Sequence, residues 1–306
     1  MSIYIKKTFK MKKYSIQIIA IILLFGISAC NKIERPEAPE QGLETNEING
    51  DTVAFPVLGT TIQKIILEEF TGHTCVNCPD GHKRAADLKT RYGDTLVLMA
   101  IHAGIFAKPE PSSIYTADYR TEAGNQLNEA FGVQGYPTGL INRTAFFGGL
   151  LLDRTAWSSA SNAIDRTSPK LALQIKTAEN SGENSFNIFA KATFLEPIQQ
   201  NIKLAIFIIE DSIVSPQTNN KASLGPVPDI VDYVHRHMLR GAVNSAWGVS
   251  IASTETPSVA NSSVIKGYKY SLTGKPFVPS RCAIIAIAYN VDTKAVVQVE
   301  ETHLIH

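Results

Sequence analysis

The sequence predicts an α/β unit followed by an all-β sandwich, and two observations carry that prediction. An apolar, β-branched run leads through two closely spaced cysteines into a helix-like run, and beyond Pro169 the pattern changes to short runs of period two. Residues 61–70 are rich in Ile, Leu and Phe and read as a strand. Cys75 and Cys78 follow at C-x-x-C spacing. Pro79 suits a first helical turn, Ala85, Ala86, Leu88, Lys89 and Tyr92 suit a helix, and Gly93 suits its stop.

The cysteines therefore cap a strand-to-helix junction. Free amide N–H groups and the helix dipole stabilise an anion there, which lowers a thiol pKa. Cys75 is the expected nucleophile and Cys78, one helical turn on, the resolving thiol. The same pair could instead be a static disulfide, or could join His73 and His82 as a zinc ligand set. Haem attachment is excluded, because Pro79 stands where that motif needs histidine.

The order strand, C-x-x-C, helix, then strand over residues 95–102 looks like the first βαβ unit of a thioredoxin fold. Val133-Gln134-Gly135-Tyr136-Pro137-Thr138 resembles the thioredoxin loop in which a cis-proline faces the cysteines. Pro137 is the candidate cis-proline, with Tyr136 and Thr138 beside it for substrate binding, and residues 139–142 and 144–147 can follow as a hairpin. Glu69 lies six residues before Cys75, where thioredoxins often carry a buried acid, and is the candidate general base. Glu68 points to the opposite strand face, so one of the pair should be inward and the other solvated.

The 306 residues, 44% hydrophobic and 19% charged, suffice for about two domains. The net charge of +1 comes from five lysines among the first thirty residues, and without them 24 basic groups face 28 acidic ones. No basic field remains to attract nucleic acid. Lys6, Lys7, Lys10, Lys12 and Lys13 precede an apolar run over residues 16–27, too short for a comfortable span, which reads as a signal peptide over residues 1–29. The run ends in Ile27-Ser28-Ala29-Cys30, which resembles a bacterial lipobox, so Cys30 is the expected lipidation site and the membrane a partner through that anchor.

Residues 30–54, with Pro36, Pro39 and six acids, read as a solvated tether. The thioredoxin-like domain is expected over residues 55–168 and the sandwich, of immunoglobulin-like kind, over 169–306. Residues 103–121, with Pro109, Pro111, Phe106, Tyr115 and Tyr119, are an insertion that either covers the cysteines or pads an edge. A helix is expected over residues 121–130, and Asp153 can cap a last one over 157–164. In the sandwich, strands are expected near residues 171–175, 186–194, 202–209, 263–271, 281–289 and 295–300, with Cys282 a buried free thiol. His235 and His237 alternate in sequence without a visible third metal ligand, and no metal site is assigned.

The Glu-Glu-Phe-Thr-Gly-x-Thr-Cys-x-x-Cys-Pro-x-Gly-His block, the Gly-Tyr-Pro-Thr loop, residues 233–240 and the lipobox together resemble the outer membrane protein 28-related lipoproteins. The resemblance implies a thioredoxin-like domain and a β-rich domain on the outer membrane. Val76-Asn77 departs from the Gly-Pro dipeptide of thioredoxin, so the direction of electron flow does not carry over. The expected activity is thiol-disulfide exchange with protein thiols or disulfides and no cofactor; the alternative is a non-catalytic surface protein stapled by its disulfide.

Overall fold

The computed structural model describes residues 47–305. The signal peptide, Cys30 and the first part of the tether lie outside the described residues. The strands are β1 (Glu47–Ile48), β2 (Ile65–Thr71), β3 (Leu96–His102), β4 (Thr138–Ile141), β5 (Leu152–Asp153), β6 (Leu171–Asn180), β7 (Ser185–Phe194) and β8 (Ile202–Glu210). There follow β9 (Ile213–Val214), β10 (Gln217–Thr218), β11 (Asp229–Ile230), β12 (Val234–His235), β13 (Met238–Ala242), β14 (Val249–Ala252), β15 (Ser263–Ser271), β16 (Cys282–Asn290) and β17 (Val296–His303). The helices are α1 (Cys78–Tyr92), α2 (Glu122–Ala130) and α3 (Trp157–Asn162).

The described residues are mostly β. Nine strands share one sheet in the order β17-β16-β8-β13-β3-β2-β4-β5, with β14 beside β8, and four form a second sheet in the order β1-β15-β7-β6. β2 and β3 are parallel and joined through α1, whereas β4 returns antiparallel to β2. β13 is the strand that joins the halves, antiparallel to β8 and parallel to β3 at Met238 and Ala100. Pro169 is thus no break in the sheet, and the strands on both sides of it lie in one compact unit.

Burial explains why the central strands are apolar on both faces. From Leu204 to Ile209 β8 carries no polar residue, because each of its faces meets a core. Ile202, Leu204, Ile206 and Ile208 meet the four-stranded sheet, while Ala205, Phe207 and Ile209 face a second core with Met99, Ile101 and Leu127. β2 and β3 send Ile66, Phe70, Val97 and Met99 to that second core and Ile65, Leu67, Leu96 and Leu98 to a third beneath α1 and Trp157. Each such Leu, Ile or Phe contributes about 1.5–3 kcal/mol on burial.

Local signals hold well in the α/β part. Pro79 opens α1, Gly93 closes it at φ 57°, and the Thr121 side chain caps α2 by accepting from the Gly124 amide. Three expectations are corrected. The end of the tether is docked, because β1 pairs with Gly267 and Tyr268 and the carbonyls of Ala54 and Pro56 accept from Lys176 and Gln174. Residues 144–147 form no strand beside β4, which pairs with β2 and β5; a single bridge joins Phe146 to Gly149. Asp153 caps no helix, and its carboxylate accepts instead from the Thr155 amide and hydroxyl in an Asx turn.

Candidate functional site

Cys75 and Cys78 form a disulfide at the start of α1, with sulfurs 2.17 Å apart. Both residues are buried, at 3% and 0% exposure. The loop that carries them is held from three directions. Cys75 N–H donates to the Gly72 carbonyl and Cys78 N–H to that of Cys75. From the 103–121 insertion, the Phe106 carbonyl accepts from both the amide and hydroxyl of Thr74, and a Cβ at Gly72 would stand 2.4 Å from that carbonyl, so only glycine fits. The insertion therefore covers the motif.

The third direction is the C-terminal half. The Gln217 side-chain amide donates to the Cys75 carbonyl at 3.0 Å, the Thr218 amide to that of His73 at 2.9 Å, and Asn220 to the Asn77 side chain. Lys221 Nζ reaches Asp80 at 2.7 Å, and Arg154 reaches the same carboxylate at 2.6 Å. Hydrogen bonds from Lys221 and Arg154 hold the Asp80 carboxyl well below the usual carboxylate range.

Beneath the motif lies Glu69, 3% exposed, whose Oε1 has no hydrogen-bond partner among the described residues. Burial pushes its carboxyl well above the ordinary range. A Cβ on Gly81, in the first turn of α1, would stand 2.6 Å from Glu69 Oε1 and 3.1 Å from Pro137. Glycine there lets the acid and the proline both approach the helix. The Tyr136–Pro137 bond is cis. Tyr136 donates to Asn128 and meets Phe106 edge to face, while the Thr138 hydroxyl donates to the Leu152 carbonyl.

Glu68 corrects the expectation of one solvated acid. Because both faces of β2 are covered, it too is buried, in a two-point pair with Arg143, also buried, at 2.7 Å for each contact. His73 is likewise buried, stacked on Tyr115 and near the Lys108 carbonyl. His82 turns inward, with Nε2 2.8 Å from Thr71 Oγ1 and 3.8 Å from Glu69 Oε1, and Nδ1 2.7 Å from the Tyr233 hydroxyl. With the two sulfurs bonded to each other, these histidines do not complete a zinc site, and among the described residues no group of three or more His, Cys, Asp or Glu is placed to hold a metal.

His102 and His235 extend the cluster, with rings 5.4 Å apart and Tyr119 and Tyr233 packed around them. Neither ring makes a hydrogen bond of ordinary geometry, although His235 lies beside the Ser215 and Pro216 carbonyls. Burial lowers the pKa of His82 to about 3 and of His235 to about 4, and that of His102 also falls well below its usual value. Sequence reading missed Gln217, Tyr233, His102 and the inward role of His82. The only signal was the histidine-rich stretch 233–237, which carries Tyr233 and His235.

Taken together, the chain is a mostly β sandwich protein into which a strand–disulfide–helix junction is set along one continuous sheet. A family model described as outer membrane protein Omp28 matches residues 124–305. The chain belongs to that family, which marks it as an outer-membrane-associated protein; the disulfide lies ahead of the matched stretch. No curated protein sequence matches the chain.

Among solved structures, HBP35 of Porphyromonas gingivalis shares the fold at TM-score 0.59 and 16% identity, over 81% of this chain and 77% of that one. Protein AGR_C_4864 from Agrobacterium tumefaciens matches at TM-score 0.44 and 11% identity, over 80% and 96%. A domain of the outer membrane lipoprotein Omp28 from Porphyromonas gingivalis matches at TM-score 0.29 and 21% identity, over 44% and 88%. No described helix is long and apolar enough to cross a membrane.

Proposed function

We propose that the protein is a lipid-anchored envelope thiol-disulfide oxidoreductase, with residues 55–168 as a thioredoxin-like domain and residues 169–306 as the sandwich that supports it. The parallel β2–α1–β3 unit and the antiparallel β4 support the domain reading. Anchoring is proposed at Cys30 after removal of residues 1–29. Loss of lipid labelling in a Cys30→Ala chain is the expected result, and unchanged labelling would overturn it.

One observation carries the redox reading: a buried acid, unpaired at Oε1, beneath the first turn of the helix that Cys78 opens. An unpaired buried polar atom costs about 1–3 kcal/mol, and a static staple has no use for it. In the exchange, a substrate thiolate attacks Cys75 Sγ, the S–S electron pair passes to Cys78 Sγ, and Glu69 gives that sulfur its proton. The second substrate thiol loses its proton to solvent and displaces Cys75 as a thiolate, so the substrate leaves as a disulfide and the protein is left reduced, with Cys78 as thiol and Cys75 as thiolate. The reverse sequence reduces a substrate disulfide. Pro137, with Tyr136 and Thr138, lines the groove for the substrate strand.

Wild type is expected to catalyse insulin reduction by dithiothreitol, and Cys75→Ser to lose that activity. Equal rates would overturn the proposal. A second reading, a structural disulfide in a binding protein, is favoured by the burial of both sulfurs beneath Gln217 and Phe106. It requires envelope partners retained by the protein when Cys75 is replaced.

A further inference from the structure

Once it has protonated Cys78, Glu69 is left as a buried carboxylate in the reduced protein, and β2 alone offers it no route to solvent. Beside it lies a cavity of about 320 Å³, lined on one side by Glu69, Pro79, His82 and Lys83 and on the other by Tyr233 and Arg236. Glu69 and Leu67 form its buried end, whereas the side chains of Lys83 and Arg236 are more than half exposed at its mouth. His82 stands between the acid and Tyr233, with Nδ1 2.7 Å from the Tyr233 hydroxyl and Nε2 2.8 Å from Thr71 Oγ1 and 3.8 Å from Glu69 Oε1, so its Nε2 must turn from Thr71 to reach the acid.

Neutral imidazole donates at one nitrogen and accepts at the other, and the hydrogen bond at one decides what the other presents. Tyr233 comes from 151 residues further along the chain, and its ring packs on both His82 and His235. The other ionisable groups around the pair are His102 from β3, His235 from β12, and Lys83, Arg236 and His237 at the rim. Glu69 is the acid within ion-pair reach of His82.

We propose that His82, held by Tyr233 from the C-terminal half, is the path by which Glu69 exchanges its proton with solvent, so that both halves of the chain build one relay. This rests on the oxidoreductase reading above. His82 and Tyr233 are positioning residues that act through Glu69. Once Glu69 has protonated the Cys78 thiolate, His82 Nε2 gives its proton to the carboxylate while Nδ1 takes one from the Tyr233 hydroxyl. The phenol oxygen takes a proton from solvent in the cavity, so one proton passes from solvent to Cys78, the relay residues end uncharged with His82 protonated at Nδ1, and the reverse half-reaction restores its Nε2–H form. Burial keeps His82 neutral at ordinary pH, as such a carrier requires.

The test uses the full chain with ¹³C-labelled glutamate, following the Glu69 carboxyl by NMR across pH, with Glu69→Gln giving the assignment. In Tyr233→Phe, which keeps the packed ring, and in His82→Asn, the Glu69 midpoint should move by about half a pH unit or more. Turnover with a dithiol substrate should slow about tenfold, with a displaced pH profile, while Cys75 alkylation in the reduced protein stays unchanged. A Glu69 midpoint and pH profile identical in all three proteins overturn the relay. Wild type that catalyses no exchange, with the midpoint still displaced in the variants, overturns the oxidoreductase reading and upholds the coupling of Tyr233 and His82 to Glu69.

Discussion

The Gln217 side-chain amide donates to the carbonyl of Cys75, 142 residues away in the chain, and is itself fully buried. A segment of the C-terminal half thereby closes over the disulfide, which local sequence places in the N-terminal half. Replacing Gln217 by Leu removes this donor while the Cys78 amide still donates to the same carbonyl, a loss of about 0.5–1.5 kcal/mol. Opening of the cover should become easier, and the disulfide should be reduced by dithiothreitol up to about tenfold faster, since each 1.4 kcal/mol is a factor of ten. Timed alkylation and mass measurement read this directly. An unchanged rate would mean that Gln217 does not limit access.

Gly81 sets the distance between α1, Glu69 and Pro137. Alanine would gain about 1 kcal/mol in helix propensity over glycine. Its Cβ would also stand 2.6 Å from Glu69 Oε1 and 3.1 Å from the proline ring, and overpacking of that kind costs about 1–3 kcal/mol. Gly81→Ala should therefore be net destabilising in urea unfolding. Adding Glu69→Ala should recover part of the loss, because it removes the closer clash. No recovery would place the strain wholly at Pro137.

The extent to which this was legible in sequence follows from range. Helix α1 with its Gly93 stop, the Thr121 cap and the period-two strands depend on neighbours within a few residues, and each was readable. The insertion of β13 between β3 and β8 was not, because it joins residues more than a hundred positions apart. That insertion brings Tyr233 and His235 in beside the motif, while Arg143, packed on Phe131 and Tyr289, closes over Glu68. An alternation rule applied to β2 alone left Glu68 in water, whereas the tertiary fold covers both faces.

The Glu68–Arg143 pair is a second consequence of that burial. Arg143 lies over the rings of Phe131 and Tyr289, so its guanidinium joins the α2 end to β16 as well as neutralising Glu68. Arg143→Met leaves a buried carboxylate alone and should cost about 3–5 kcal/mol. The double replacement Glu68→Leu, Arg143→Met removes both charges and should recover most of that loss. Urea midpoints for the three variants decide it, and a single-variant loss below about 1 kcal/mol would show that water reaches Glu68.

Stability should fall with acid in a window set by the buried histidines. His82, His102 and His235 are neutral in the fold, chiefly because burial disfavours the charged ring, and their folded pKa values lie below the unfolded value of about 6.5. For a group depressed in this way, the contribution is complete above 6.5 and is lost as pH falls toward about 4 for His235 and about 3 for His82. Each histidine alone gives a slope of about 1.4 kcal/mol per pH unit. Glu69 runs the other way: its raised folded pKa contributes fully below the unfolded value and is lost as pH rises. Burial lowers the pKa values of His73 and His237 too, so five rings against one carboxyl leave a net loss of stability between pH 6.5 and 4.5. Urea unfolding at constant ionic strength should show it, and His235→Phe, which keeps a ring against Tyr233 and His102, should make the slope shallower by about one histidine's share. A slope unchanged by that substitution would mean that His235 is charged within the fold.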